Sequence, residues 1–347
     1  MDRVTLGKTG INVCKNGFGA LPIQRLEEKD AIYLVRLAYD NGIDFFDTAR
    51  AYSDSEEKLG KALKGIRYKV FIATKTASIT PEGVEKDLEI SLKMLQTDYI
   101  DIYQFHNPSF CPMEDSEIYQ VVLRAKKEGK IRHIGITNHR LDCAKEAVLS
   151  GLYETLQFPF SYISGEKEKE LVRLSKENNM GFIAMKGLCG GLLNNSKACY
   201  AFMNQFDNVL PIWGVQRERE LKEWLSYNTN PPKLDEEIEE LIEKDRKELS
   251  GEFCRGCGYC LPCPMGIQIN QCARMIQLIR RSPSQSQLSK EGQEMMMKIK
   301  SCIKCGRCKT KCPYSLDIPT LLEKNLEDYL DILSGRVRVQ VTEDARD

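Results

Sequence analysis

The chain has 347 residues, 42% of them hydrophobic, and its 50 basic and 50 acidic side chains cancel to a formal charge of zero. That length can bury one large core and a smaller one, and the cancelled charge excludes a global affinity for polyanions, so neither nucleic acid nor membrane is an expected partner. No apolar run reaches the roughly 20 residues that cross a bilayer, and Met1-Asp2-Arg3-Val4 lacks the basic start and apolar middle of a secretory signal, so the expected location is cytoplasmic.

Residues 3 to 13 alternate apolar and polar side chains about Gly7-Lys8-Thr9-Gly10, which predicts a β-hairpin. Gly7-Lys8-Thr9 superficially resembles a phosphate loop, but the full Gly-x4-Gly-Lys-Ser/Thr spacing is absent and the hairpin is preferred. From residue 17 a strand pattern followed by a helix pattern recurs eight times. Strands are predicted at 17–21, 43–47, 70–75, 99–106, 133–137, 155–160, 181–185 and 209–214; helices at 28–41, 55–63, 82–95, 116–128, 141–149, 166–178, 196–206 and 217–227. Eight such alternations predict an α/β fold, a (β/α)8 TIM barrel over 1–228 with the N-terminal hairpin capping its bottom. Asn228 to Leu234 carries Pro231-Pro232 and breaks helix, opening a linker and acid-rich helix over 229–253 whose stripe Leu234, Ile238, Leu241 and Ile242 is expected to pack on the barrel. Beyond it two cysteine runs, Cys254 to Cys263 and Cys302 to Cys312, resemble those of bacterial ferredoxins, which implies a small α-helical, ferredoxin-like iron–sulfur domain over 254–335, with Arg280 to Gly292 as a polar loop and a tail over 336–347.

Four side chains fall at strand ends or just beyond: Asp47 after the second strand, Tyr52 in the loop that follows, Lys75 closing the third strand and His106 closing the fourth. In a parallel barrel those ends share one face, so the four converge. A phenol is a poor acid at neutral pH, yet a neighbouring ammonium stabilises the phenolate. Asp47 would hold the Lys75 charge, and His106 would orient a substrate oxygen, giving a site that protonates a developing alkoxide. A single Lys or Asp at a strand end is ordinarily a solvated ion-pair partner, and His133 and His139 are read as ordinary loop or strand-edge residues. Four such groups in order at successive barrel positions outweigh that reading here.

Gly42 to Tyr52, followed by Ser55-Glu56-Glu57-Lys58-Leu59-Gly60-Lys61-Ala62-Leu63, resembles the signature of the aldo-keto reductase superfamily, over roughly residues 1–228. The resemblance implies Tyr52 as general acid, Lys75 and Asp47 as its tuners, and His106 as the orienter. Ile134-Gly135-Ile136-Thr137-Asn138 is similar to the segment that holds the nicotinamide carboxamide, implying Thr137 and Asn138 as contacts, and Gln157 stands at the carboxamide-binding Gln. Lys186-Gly187-Leu188-Cys189-Gly190-Gly191-Leu192 is similar to the pyrophosphate loop after strand seven, implying Lys186, Gly187, Leu188, Gly190 and Gly191; barrel physics also places phosphate at late-strand loops. Two positions depart from the family. Met185 stands where an aromatic ring commonly stacks on nicotinamide, and Trp213-Gly214-Val215-Gln216-Arg217-Glu218-Arg219-Glu220 replaces the basic pattern for the 2′-phosphate, leaving Arg217 or Arg219 as candidates. The expected cofactor is NADP(H) or NAD(H).

Eight of the 14 cysteines fall in two runs, which in a reducing compartment points to metal ligation rather than disulfides. Cys254-x2-Cys257-x2-Cys260-x2-Cys263-Pro264 precedes Cys302-x2-Cys305-x2-Cys308-x3-Cys312-Pro313. The second run resembles the bacterial ferredoxin pattern, in which three cysteines bind one 4Fe-4S cluster and the fourth reaches the other. The resemblance implies two clusters, one on Cys254, Cys257, Cys260 and Cys312, the other on Cys302, Cys305, Cys308 and Cys263, with the first run one residue shorter before its fourth cysteine. Zinc needs four tetrahedral ligands, typically as two separated pairs, a poorer match. Cys14, Cys111, Cys143, Cys189, Cys199 and Cys272 are read as buried small hydrophobes, with Cys111 and Cys189 in loops expected at the barrel mouth.

Hydride transfer moves two electrons and clusters move one. The preferred reading is a reductase acting on a small-molecule carbonyl, aldehyde or ketone, with NAD(P)H, its clusters coupled to the reaction or stabilising the fold. The alternative is a ferredoxin-linked oxidoreductase in which a barrel-bound flavin converts between one- and two-electron transfer, with a ferredoxin-type electron partner. A partner-binding protein with a vestigial barrel would predict damage to the tetrad, which is intact.

Overall fold

The computed structural model describes residues 2–249 and 253–341, so part of the predicted linker (250–252) and the end of the predicted tail (342–347) lie outside the described residues. The chain divides into two compact units, Met1–Gly187 with Lys197–Glu239, and Leu188–Ser196 with Glu240–Asp347.

The first unit is a closed barrel. Strands β1 (Arg3–Thr5) and β2 (Asn12–Cys14) form the predicted hairpin, and β3 (Gly17–Gly19), β4 (Phe45–Asp47), β5 (Phe71–Thr76), β6 (Ile100–His106), β7 (Ile131–Thr137), β8 (Thr155–Pro159), β9 (Gly181–Met185) and β10 (Val209–Gly214) close in sequence order, β10 pairing in parallel with β3. The helices between them are α1 (Glu28–Asp40), α2 (Ser55–Ala62), α3 (Pro81–Met94), α4 (Glu117–Lys127), α5 (Leu141–Ser150), α6 (Glu166–Glu177), α7 (Ser196–Asn204) and α8 (Glu218–Ser226). Each apolar stripe does what its spacing predicts: on α1, Ala31, Leu34, Val35 and Ala38 are buried at helical intervals. Pro81 opens α3 and Thr80 caps it, accepting from the Gly83 amide at 3.2 Å. Where α2 approaches α3, a Cβ on Gly60 would lie 2.3 Å from the Met94 carbonyl oxygen, so only glycine permits the contact.

Val4, Leu6, Ile11 and Val13 of the hairpin pack into one buried cluster with Phe45, Ala73, Ile102, Ile183 and Leu210 of the barrel strands, closing the barrel at its bottom as expected. Polar chemistry is thereby left to the opposite, C-terminal ends of the strands.

In the second unit α9 (Glu236–Glu248) leads to α10 (Ile269–Cys272), α11 (Met275–Arg281), α12 (Lys290–Met297), α13 (Arg307–Lys311) and α14 (Ile318–Leu333). Glu236 to Glu239 of α9 group with the barrel unit. Of its predicted stripe only Ile242 is fully buried. The polar stretch 280–292 is not all loop: Ser286–Leu288 forms a 3-10 turn, and α12 starts at Lys290 because the Ser289 hydroxyl accepts from the Gly292 amide at 3.3 Å. Arg281 draws the unit together by pairing with Asp245 and Glu248 and donating to the Leu192 carbonyl at 2.9 Å. Among the described residues no helix is long and apolar enough to cross a membrane.

Candidate active site

The predicted tetrad meets at one end of the barrel. Asp47 closes β4, Lys75 lies in β5, His106 closes β6 and Tyr52 stands in the turn before α2. Lys75 Nζ donates to Asp47 Oδ2 at 2.6 Å and to the Thr48 carbonyl at 2.6 Å, with both side chains buried. The same ammonium is 5.4 Å from the centroid of the Tyr52 ring, and the His106 ring stands edge-on to that ring at 5.7 Å. Burial pushes Asp47 up from the ordinary carboxylate range and Lys75 down from the ordinary amine range, and the ion pair between them opposes both movements. For His106, burial and then the charges of Lys75 and Lys186 bring the pKa down to about 3, so the ring is neutral at physiological pH. Its Nδ1 is buried with no hydrogen-bond partner among the described residues.

Beneath Asp47 lies a polar chain that the residue pattern did not reveal. Gln157 Nε2 donates to Asp47 Oδ1 at 3.3 Å and Gln157 Oε1 accepts from Gln104 Nε2 at 2.9 Å. Gln157 thus orients the carboxylate that holds Lys75, and Gln104, for which the sequence suggested nothing, orients Gln157. Beside this network Glu56 is buried, accepting from Thr74 Oγ1 and Ser91 Oγ at 2.6 Å each and pairing with Arg50. His139 also belongs to the mouth. It is 3% exposed, and after burial the charges of Lys186 and His106 are what hold its pKa well below the usual imidazole value. Its position directly after Thr137-Asn138 was the available signal. His133 is the ordinary residue expected, in β7 with Nδ1 2.7 Å from Glu154 Oε2.

The residues expected to hold a nucleotide divide into groups. Thr137 closes β7 with its hydroxyl 3.9 Å from Met185 Sδ at the end of β9. Asn138 is buried, and its amide donates to the Pro108 carbonyl at 3.0 Å and to Cys143 Sγ at 3.1 Å while its oxygen accepts from the Arg140 amide. Lys186 follows β9 with a left-handed backbone, φ +60°. Gly187 lies against Trp213, whose ring a Cβ would meet at 2.5 Å; that indole stacks on Trp224 at 4.0 Å and its Nε1 is buried without a partner among the described residues. Leu188, Gly190 and Gly191 cluster with the second unit, where Arg274 Nη1 donates to the Gly190 carbonyl at 3.0 Å. Cys189 goes with them and feels the charge of Arg274 there. Arg217 precedes α8, its guanidinium 3.8 Å from Glu220 Oε1.

In the second unit, Cys263, Cys302, Cys305 and Cys308 line one cavity, with Cys260 also on its wall. Burial pushes the Cys254 thiol up and the Gly256 amide, donating to Cys254 Sγ at 3.4 Å, opposes the shift, while the charges of Cys257 and, more weakly, Cys312 add to it. Burial and the charges of Cys254 and Cys257 raise Cys260 to about 12. Among the described residues no three His, Cys, Asp or Glu side chains close on a single-ion site.

The aldo/keto reductase family profile matches residues 15–208, and a 4Fe-4S dicluster domain profile matches residues 253–317. Aldo-keto reductase YhdN of Bacillus subtilis (strain 168) is 34% identical over 213 residues, which is 56% of this chain and 64% of that protein, so the chain spans less than two thirds of its length. The NADH-specific methylglyoxal reductase of Escherichia coli (strain K12) is 29% identical over 230 residues, 56% of this chain and 70% of that protein. A Klebsiella pneumoniae aldo-keto reductase solved in complex with NADPH superposes with a TM-score of 0.61 at 21% identity, over 70% of this chain and 94% of that one, a likeness of fold.

Proposed function

This chain belongs to the aldo/keto reductase family, and from that premise we propose that it reduces the carbonyl group of a small aldehyde or ketone with NAD(P)H. The observation that carries the reading is the buried Lys75–Asp47 pair beneath Tyr52, with the partnerless Nδ1 of a neutral His106 alongside. A nicotinamide cofactor fits the mouth by its chemistry, since Lys186 brings a cation there and the buried Nδ1 of His106 has no hydrogen-bond partner among the described residues. When bound, it supplies the hydride. Thr137, Met185, Lys186 and Gly187 would hold it from the barrel, and Asn138 and Gln157, whose amides are engaged with Cys143, Pro108, Gln104 and Asp47, would present only their remaining capacity. The Leu188, Gly190 and Gly191 backbone and Arg217 complete the proposed set. The E. coli relative is NADH-specific by name and the Klebsiella neighbour is a complex with NADPH, so the nucleotide is assigned as NAD(P)H.

Tyr52 then donates its phenolic proton to the carbonyl oxygen as negative charge develops there. Lys75 stabilises the phenolate left behind, Asp47 fixes Lys75, and Gln157 with Gln104 fixes Asp47. His106, neutral, can donate from one ring nitrogen to the substrate oxygen without adding a second positive charge beside Lys75. Tyr52→Phe is expected to lower kcat about 10²–10⁴-fold while leaving nucleotide affinity unchanged. A wild-type rate in that variant rules out the general-acid role.

The cysteine arrangement supports two 4Fe-4S clusters in the crossed pairing, because Cys263 shares a cavity with the second run while the charge of Cys312 reaches Cys254. Clusters supply one-electron capacity, and the exposure of Cys305 favours exchange with an outside carrier. That observation supports a second reading, a ferredoxin-linked oxidoreductase with a flavin in the barrel. An ultraviolet–visible spectrum of the anaerobic protein, before and after NADPH, NADH or reduced ferredoxin, separates the two by showing which cofactor is resident and what reduces it.

A further inference from the structure

The segment from Lys298 to Lys311 holds six basic residues and no acidic one, and it also carries three of the cysteines assigned to the second cluster. A basic run on a protein surface is ordinarily a solvated face. Four features set this one apart. Cys305 is exposed, the one cysteine among the described residues that is, whereas Cys254 and Cys260 of the first run are buried. Ile303, two positions before it, is a large apolar side chain left 61% exposed. Lys304 and Lys309 are neutralised locally, by Glu323 at 2.6 Å and Asp317 at 3.2 Å. Lys300, Arg307 and Lys311 are exposed and meet no acidic side chain among the described residues, with Arg307 also on the wall of the cysteine cavity.

An apolar centre with a charged rim, over a redox site close to solvent, is how a transient electron-transfer contact is built: a small interface, below about 1,200 Å², steered by charge rather than held by area. We infer that this face docks an acidic one-electron carrier protein of the low-potential iron–sulfur class, so that the cluster held by Cys302, Cys305, Cys308 and Cys263 is the port through which single electrons enter or leave. In the entering direction the carrier is oxidised by one electron, this cluster is reduced by one, and no bond or proton moves. The inference rests on the cluster reading above.

The test uses the full-length anaerobic protein with a purified acidic ferredoxin as probe. Its dissociation constant is measured at low and high ionic strength for the wild type, for Lys300→Glu/Arg307→Glu/Lys311→Glu, and for the milder replacement of the same three by Gln. Among the described residues the three side chains meet no acidic partner, so folding should survive; because Arg307 lines the cysteine cavity, iron and sulfide are measured in each variant, and the Gln variant serves if the Glu variant does not fold or loses iron. The expected results are weakening of wild-type binding by salt, as charges separated by more than the Debye length of about 10 Å at 0.1 M are screened, and affinity lowered about tenfold or more in the variants at low salt. Reduction of the variant cluster by the methyl viologen radical cation, which is not steered by acidic charge, should be as fast as in the wild type or faster. Unchanged ferredoxin affinity in both variants, or binding indifferent to salt, overturns the docking face while leaving the clusters intact. A short DNA duplex that binds as tightly and is lost in the same variants overturns it in favour of nucleic acid. Absence of iron and sulfide from the wild type overturns the cluster reading and the docking face with it.

Discussion

At the scale of single residues, the Lys75–Asp47 pair shows why a buried charge demands its partner. Removing one member strands the other in a site that burial already pushes toward neutrality. Asp47→Asn should cost about 3–5 kcal/mol in denaturant unfolding, and Asp47→Asn with Lys75→Met should recover most of that loss while remaining inactive. A double variant as unstable as the sum of its singles would show that the pair does not couple. The histidines make a second case. In the unfolded chain His106 accepts a proton near 6.5, but in the fold it does so only near 3. The depressed value means that the stability tied to the neutral ring is complete above about pH 6.5 and drains away as pH falls toward 3, since the unfolded state binds the proton first. Nitrogen-15 NMR of the imidazoles should therefore show His106 and His139 flat between about pH 5 and pH 8. A midpoint near 6.5 at His106 would place it in water instead. The tetrad was legible in the sequence because strand ends of a parallel barrel must share a face, whichever residues lie between them. Gln104 was not, because reaching Gln157 from β6 depends on lateral register, which no local pattern encodes; His139 had a signal in its place directly after Thr137-Asn138, but its depth of burial had none.

At the scale of elements, the alternation of apolar strands with amphipathic helices placed nearly every boundary within a residue or two of where it falls, since each element buries its own stripe. The hairpin adds a plug. Leu6 is fully buried within the cluster at the bottom of the barrel. Leu6→Ala should cost about 2–5 kcal/mol and leave kcat/KM of the folded fraction unchanged, because the cavity opens at the end remote from Tyr52. Equal loss of activity in folded protein would argue that the two ends are coupled. The polar stretch before α12 misled because composition speaks for solvent exposure and not against helix. Ser289 supplies a cap, and Met296 alone gives the helix a fully buried apolar anchor.

At the scale of the molecule, the two units are stabilised by different means. The barrel has a continuous apolar core, while the second unit combines a smaller set of buried apolar residues, among them Met275, Ile279, Ile318 and Tyr329, with two groups of cysteines. If those thiolates bind clusters, ligand binding is part of that unit's folding free energy. Anaerobic extraction of iron should then remove helical circular dichroism and open residues 240–341 to protease, with the barrel's own unfolding transition kept; a second unit that stays protected without iron would show the clusters to be dispensable for its fold. The sequence by itself determined the (β/α)8 class, the meeting of Asp47, Tyr52, Lys75 and His106, and the two cysteine runs, because periodicity and spacing are local and a parallel barrel turns strand order into convergence. Tertiary structure alone decided what each group faces: that Gln157 spends its amide on Asp47, that His139 is buried within reach of the His106 charge, that Cys263 shares a cavity with the second run, and that Cys305 is exposed in a basic stretch where Lys304 and Lys309 are paired and Lys300, Arg307 and Lys311 meet no acidic side chain among the described residues. Burial, register and charge neighbours arise between residues far apart in the chain, and they set the protonation and accessibility on which the chemistry depends.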